Sequence, residues 1–157
     1  MPSGFTFNFV PHLKYPVGSG KHRWGKDTTR RLLKKYHTFS LKRGVPIYIG
    51  EFGVNYRQGL FGEDRWLRDN LDCFEEYGFH WTYWTYKAVK NSCHPDGILS
   101  YYENPPWVNR GGPLMGWETY KNHWPKSKND MIRSWRTPYF QDNTVILKIL
   151  QKYAHKK

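Results

Sequence analysis

The residue best placed to do chemistry in this 157-residue chain is Glu51. It follows the apolar run VPIYIG at 45–50 directly and is itself followed by Phe52 and Gly53. A carboxylate at the end of a buried strand is costly unless it is paired, hydrogen-bonded or used. In use it would act as a nucleophile or as a general acid or base. The plain alternative is a Glu that caps a turn or pairs with a Lys, and its place directly behind an apolar run argues against that. The other candidates are aromatic or polar. Trp81 and Trp84 stand in FHWTYW at 79–84, and His12 and Tyr15 follow a short β-rich run. Tyr101, Tyr102, Trp107 and Trp117 crowd the segment 96–120, beside Asn109 and Arg110. Flat rings beside a cleft offer faces for amphipathic ligands. For each ring the competing reading is a small local core.

These groups need elements to hold them. FTFNFV at 5–10 is β-rich, stops at Pro11 and predicts a strand. The Gly- and Pro-rich stretch 16–26 predicts a loop. Asp27 or Thr28 is expected to cap a helix whose apolar residues Leu32, Leu33, Tyr36 and Phe39 recur at helical spacing, with Gly44 as its C-cap. VPIYIG then predicts a buried parallel strand. A second helix carries Trp66, Leu67, Asn70, Leu71, Phe74 and Tyr77 on one face and ends at Gly78, before a strand at 79–84. Regularity then lapses, so 85–141 is expected to be a long loop. A closing helix behind Asp142 or Asn143 has the stripe Val145, Ile146, Ile149, Leu150 and Tyr153. The alternation argues for an α/β fold built from βαβ units with a parallel sheet. If that sheet belongs to an eight-stranded barrel, 11–15, Glu51 and 84–87 share the rim where such barrels present functional groups.

Two segments carry a resemblance. VPIYIGEFGV at 45–54 closely resembles the seventh-strand segment of family-5 glycoside hydrolases, the cellulase-like (β/α)8 barrels, and GFHWTYWTYK at 78–87 resembles their eighth strand. Their order and spacing are right, and the likeness extends over residues 1–110 and the last helix. It implies that 1–157 is the C-terminal portion of such a barrel: strands six to eight with their helices, and a rim loop over 85–141. It further implies retaining hydrolysis of O-glycosidic bonds in a β-linked polysaccharide or glycoside. Glu51 would be the nucleophile, and Trp84, or second to it Trp81, would stack under the sugar. The sixth strand of the family contributes a His-x-Tyr-like pair. Two registers are open here: Asn8 with Val10, which departs from that pattern, or His12 with Tyr15, which keeps both residue types at a different spacing, and Pro11 as strand end favours the second. A Tyr15 hydroxyl donating to Glu51 would hold the carboxylate ionised. Trp107 and Asn109 would belong to a substrate wall. The family's acid/base Glu follows an Asn, and no Asn-Glu pair occurs here in that context. Glu103 and Glu118 are the rim carboxylates that remain. Three strands cannot close a barrel, so the reading expects either a missing N-terminal barrel half or self-association. Secretion is usual for such enzymes. The sugar is left open among cellulose, mannan, other β-glucans and glycolipid headgroups.

Bulk properties narrow the alternatives. Two cysteines make neither a disulfide framework nor a metal site, and the expectation is no metal and no cofactor. Cys73 falls on the apolar side of its helix and reads as a buried thiol, and a bridge to Cys93 is not favoured. No apolar run is long enough to cross a membrane, and no signal-peptide core is visible at the N-terminus. The net charge of +12 raises the question of nucleic acid. It is spread over a predicted helix (Arg30, Arg31, Lys34, Lys35, Lys42, Arg43), the predicted loop (Lys121, Lys126, Lys128, Arg133, Arg136) and the C-terminus, without zinc-finger or RNP-type motifs. Beside the hydrolase stand two other readings, a non-catalytic carbohydrate-binding module and a basic nucleic-acid-associated domain.

Overall fold

The computed structural model describes residues 14–18, 20, 23–55, 59–90, 96–108 and 117–154, so the strand expected at 5–10 lies outside the described residues. Helix α1 is Lys26–Arg43, strand β1 Tyr48–Phe52, helix α2 Glu63–Glu76 and strand β2 His80–Tyr83. β1 and β2 pair in parallel, with Tyr48 opposite His80 and Ile49 opposite Trp81, so β1–α2–β2 is a βαβ unit.

Gly44 closes α1 in the left-handed conformation (φ 64°), its N–H donating to the Ser40 carbonyl, as its place in the sequence predicts. The start differs from expectation. Gly25 is the N-cap, while the Thr28 hydroxyl donates to the Arg23 carbonyl at 3.0 Å and serves the preceding loop. On α2 the apolar face is buried as the periodicity requires: Trp66, Leu67, Asn70, Leu71, Cys73 and Phe74. α4, Thr144–Ala154, buries Ile146, Ile149, Leu150 and Tyr153, and the Asn143 carboxamide accepts from the Ile146 N–H at 3.5 Å. These residues with Val54, Phe79 and Tyr83 form one core.

Helix α2 is the hub of this core, and its solvent-side carboxylates clasp what surrounds it. Asp72 accepts from Lys26 of α1 at 2.6 Å and from the Tyr153 hydroxyl of α4 at 2.7 Å. Glu76 pairs with Arg30 at 2.9 Å. Asp69 takes the Tyr15 hydroxyl at 2.8 Å, and Glu75 the Trp81 indole N–H at 3.2 Å.

The long loop expected over 85–141 is instead largely ordered. Strands β3 (Lys87–Val89), β4 (Leu99–Tyr101) and β5 (Gln141–Asp142) form a mixed sheet, β3 parallel and β5 antiparallel to β4. Helix α3 spans Trp117–Ser134, and a 3₁₀ turn follows at Thr137–Tyr139. The fold is mixed α/β, with a two-stranded parallel sheet and a three-stranded mixed one among the described residues. Strands of two or three residues are too short to show a period. α3 hides its helicity differently: Pro125 lies inside it, Ser127 leaves helical geometry (φ −130°), and KNHWPKSKND at 121–130, which holds both, reads as polar loop. Lys121, Lys126, Lys128 and Arg133 therefore sit on a kinked helix, where Met131 is fully buried.

Candidate functional site

The site is set by a flaw in the regularity of β1. From Ile49 opposite Trp81 to Phe52 opposite Tyr83, β1 advances three residues and β2 two, so β1 carries one extra residue at Gly50–Glu51. Strict alternation would put Glu51 on the face of Ile49, which packs against the core. The bulge shifts the phase. Tyr48, Gly50 and Glu51 are exposed, and Phe52 packs edge-on against Phe74 (5.1 Å), Trp81 (5.7 Å) and Tyr83 (5.7 Å). β2 keeps its period: His80, Thr82 and Trp84 are exposed, while Trp81 and Tyr83 face the core. The Tyr48 and Thr82 hydroxyls bond to each other across the open face. The Trp84 N–H donates to the Phe52 carbonyl at 2.8 Å. Glu51 and Trp84, which is 45% exposed, thus stand at neighbouring strand ends on one uncovered face.

Two expectations change. Trp81 belongs to the opposite face, where its indole bonds Glu75 and its ring meets Phe52. Side chains three apart on a strand point to opposite faces, so Trp81 and Trp84 could not both have served. Tyr15 is buried in the core, and its hydroxyl goes to Asp69, not to Glu51. Burial first, and then the Asp69 carboxylate, pushes that hydroxyl far above the ordinary phenol range. Its N–H donates to the Phe61 carbonyl at 2.8 Å, which ties the first loop to the loop that leaves β1. Gly62 permits this contact: at φ 74° a Cβ there would lie 2.2 Å from the Tyr15 carbonyl oxygen. Tyr101 follows the local-core reading: it is buried in β4, stacks at a tilt on Phe140 (5.4 Å) and donates to Glu103 at 3.2 Å. That ring serves a local core, and Glu103 beside it is exposed.

Trp107 is half-buried in the turn closed by the Val108 N–H on the Pro105 carbonyl. His12, Asn109 and Arg110 lie outside the described residues, as do Cys93 and the side chains of Trp117 and Glu118. Cys73 is a free, fully buried thiol. Among the described residues no group of three or more His, Cys, Asp or Glu could hold a metal, and no helix is long and apolar enough to cross a membrane.

Sequence reasoning missed a brace under the site. Asp96 is 1% exposed and salt-bridged to Lys90 at 2.6 Å. Its N–H donates to the Val54 carbonyl at 3.0 Å, and its own carbonyl accepts the Tyr83 hydroxyl at 3.0 Å. The segment just past Glu51 is thereby fixed to the end of β2. In sequence Pro95-Asp96-Gly97 looks like a turn, and nothing in it reveals burial.

Residues 9–90, just over half of the chain, match the family described as Cellulase (glycosyl hydrolase family 5). No curated protein matches. Two solved structures are similar, each at 25% identity over 60% of this chain. One is a hyperthermophilic endo-β-1,4-glucanase in complex with substrate (TM-score 0.43), the other an endoglucanase (TM-score 0.41). The chain spans 28% of the length of each. The matched stretch holds α1, β1 with Glu51, α2 and β2, and by that match the chain belongs to glycosyl hydrolase family 5.

Proposed function

We propose that this chain is the C-terminal, nucleophile-bearing part of a retaining β-glycanase barrel, contributing its sixth to eighth strands, with Glu51 as the attacking carboxylate. The observation that carries the reading is the bulge, which brings Glu51 out beside Trp84 on an open sheet face at the ends of two parallel strands. In the reaction Glu51 attacks the anomeric carbon and a glycosyl-enzyme ester forms. Retaining chemistry needs a second carboxyl group about 5 Å away to protonate the leaving oxygen and then to activate water. Tyr48, Gly50, His80, Thr82 and Trp84 are the other outward residues of β1 and β2, and none is an acid. The acid/base group therefore comes from outside these two strands, and we assign it to the N-terminal part of the barrel. Trp84 would stack under the sugar ring at the cleavage point.

A second feature supports an incomplete barrel. α1 buries only Thr29 and Leu33, while Leu32, Tyr36 and Phe39 form an exposed stripe one helical face away. Such a stripe is what a neighbouring barrel helix would cover.

The test is a mechanism-based label. Activated 2-deoxy-2-fluoro glycosides with gluco-, cellobio- and manno- configurations need little help from a general acid. The expected result is an intact-mass shift that maps to the peptide containing Glu51 and disappears in Glu51→Gln. Folded protein that takes no label from any donor would overturn the assignment and favour a binding module.

A further inference from the structure

The loop before α1 and the first turn of α2 enclose a polar cavity at the same end of the βαβ unit as Glu51. Its volume is about 330 Å³, and Arg23, Lys26, Arg31 and Arg65 line it together with Asp27 and Thr28. Backbone bonds hold its described residues. Reciprocal bonds join Val17 and Trp24 (2.9 and 2.7 Å), and Tyr15 ties this loop to the Phe61 carbonyl, immediately before α2. Pro16 would sit in van der Waals contact, at 3.4 Å, with a Cβ on Gly25.

The charge in the cavity is unbalanced. α2 holds two of the cations in place, Lys26 through Asp72 (2.6 Å) and Arg65 near Asp69 (3.8 Å). Arg23 and Arg31 have no acidic partner among the described residues. Asp27, the acid in the lining, is bridged to Arg30 at 2.7 Å. Four cations gathered in one concavity raise the local potential for an anion. Guanidinium groups match the planar or trigonal oxygens of carboxylates and sulfates.

We propose that this cavity receives an anionic substituent, a carboxylate or sulfate ester, carried by the β-linked glycan, so that the substrate class is an acidic polysaccharide. This rests on the hydrolase reading and adds to it a subsite on the rim. It also gives part of the basic surface a role in selecting substrate.

Isothermal titration of the 157-residue chain at about 0.15 M salt tests it with three β-glucan probes: carboxymethylated, sulfated and neutral hydroxyethylated. Both anionic probes are expected to bind at least about tenfold more tightly than the neutral one. Arg23→Gln/Arg31→Gln should remove that preference and leave neutral binding intact. Lys34→Gln/Lys35→Gln, which removes equal charge elsewhere on α1, should keep it. Arg23 and Arg31 are exposed, so the variant is expected to fold, and circular dichroism checks this. Equal losses in both double variants would overturn the proposal in favour of diffuse attraction. Binding of inorganic sulfate or single-stranded DNA as tight as that of the anionic glucans would overturn it too, as would no preference over the neutral probe. Labelling of Glu51 by neutral fluoro donors is independent of the cavity. A labelled Glu51 without anionic preference would remove this proposal and leave the hydrolase standing.

Discussion

At the scale of single residues, the tyrosine and the acid that sequence pairs are separate in the structure, and their substitutions should behave oppositely. Tyr15→Phe removes a hydroxyl that satisfies Asp69 inside the fold. It is expected to cost about 1–3 kcal/mol in urea unfolding, since a partly buried acceptor loses its donor, and to leave labelling of Glu51 unchanged. A loss of labelling in folded Tyr15→Phe would restore this hydroxyl to the site. Burial also sets a pH response. The Cys73 thiol is pushed up from 9.0 to about 11, chiefly by burial. A group raised in the folded state stabilises fully below its unfolded pKa, and that stability fades as pH climbs through the folded value. Stability should therefore fall from pH 9 to 11, and the Tyr83 and Tyr153 hydroxyls, raised by burial as well, extend the fall further. Urea midpoints across this range should drop less steeply in Cys73→Ala than in the parent. Parallel slopes would show that the thiol plays no part. Glu51 was singled out by the apolar run before it, but that run is not the buried strand the sequence suggests: Tyr48, Gly50 and Glu51 are exposed. The partner of Tyr15 was not legible, since Asp69 lies 54 positions away and was one of several carboxylates on the polar side of α2.

Among elements, legibility followed length and period. α2 and α4 showed their buried faces at helical spacing, and glycines marked the ends of α1 and α2. α3 did not, because a proline and a polar run interrupt it, and β3 to β5 are too short to carry a pattern. The bulge in β1 was equally silent: one added residue changes no composition, yet it decides which way the acid faces. The apolar stripe of α1 was visible as Leu32, Tyr36 and Phe39, but a periodicity does not say whether its face is covered. In the structure those three are exposed. Replacing all three with Gln should change the unfolding free energy by less than about 0.5 kcal/mol per site, as for other surface positions. If the stripe is a self-association surface, the parent should form dimers or larger species in sedimentation and the same variant should not. A strong destabilisation would show that the stripe is buried in solution.

For the whole molecule, the family is carried by one βαβ unit and the helix before it, while residues 87–142 hold a separate mixed sheet and a kinked helix. Local patterning could announce the first part because strands, helices and motif coincide there. The second depends on contacts between distant segments, as where β5 joins β4 from some forty residues away. The uncovered sheet face and the α1 stripe impose a further condition. On the proposed reading of an incomplete barrel, whatever completes them must arrive by collision or by tether. Two separate polypeptides would assemble at a rate set by the product of their concentrations, and dilution would extinguish turnover. A continuous chain would hold the missing half at an effective concentration of about millimolar, and turnover per molecule would ignore dilution. The response of specific activity to dilution therefore reports whether the two halves of this cleft are covalently one.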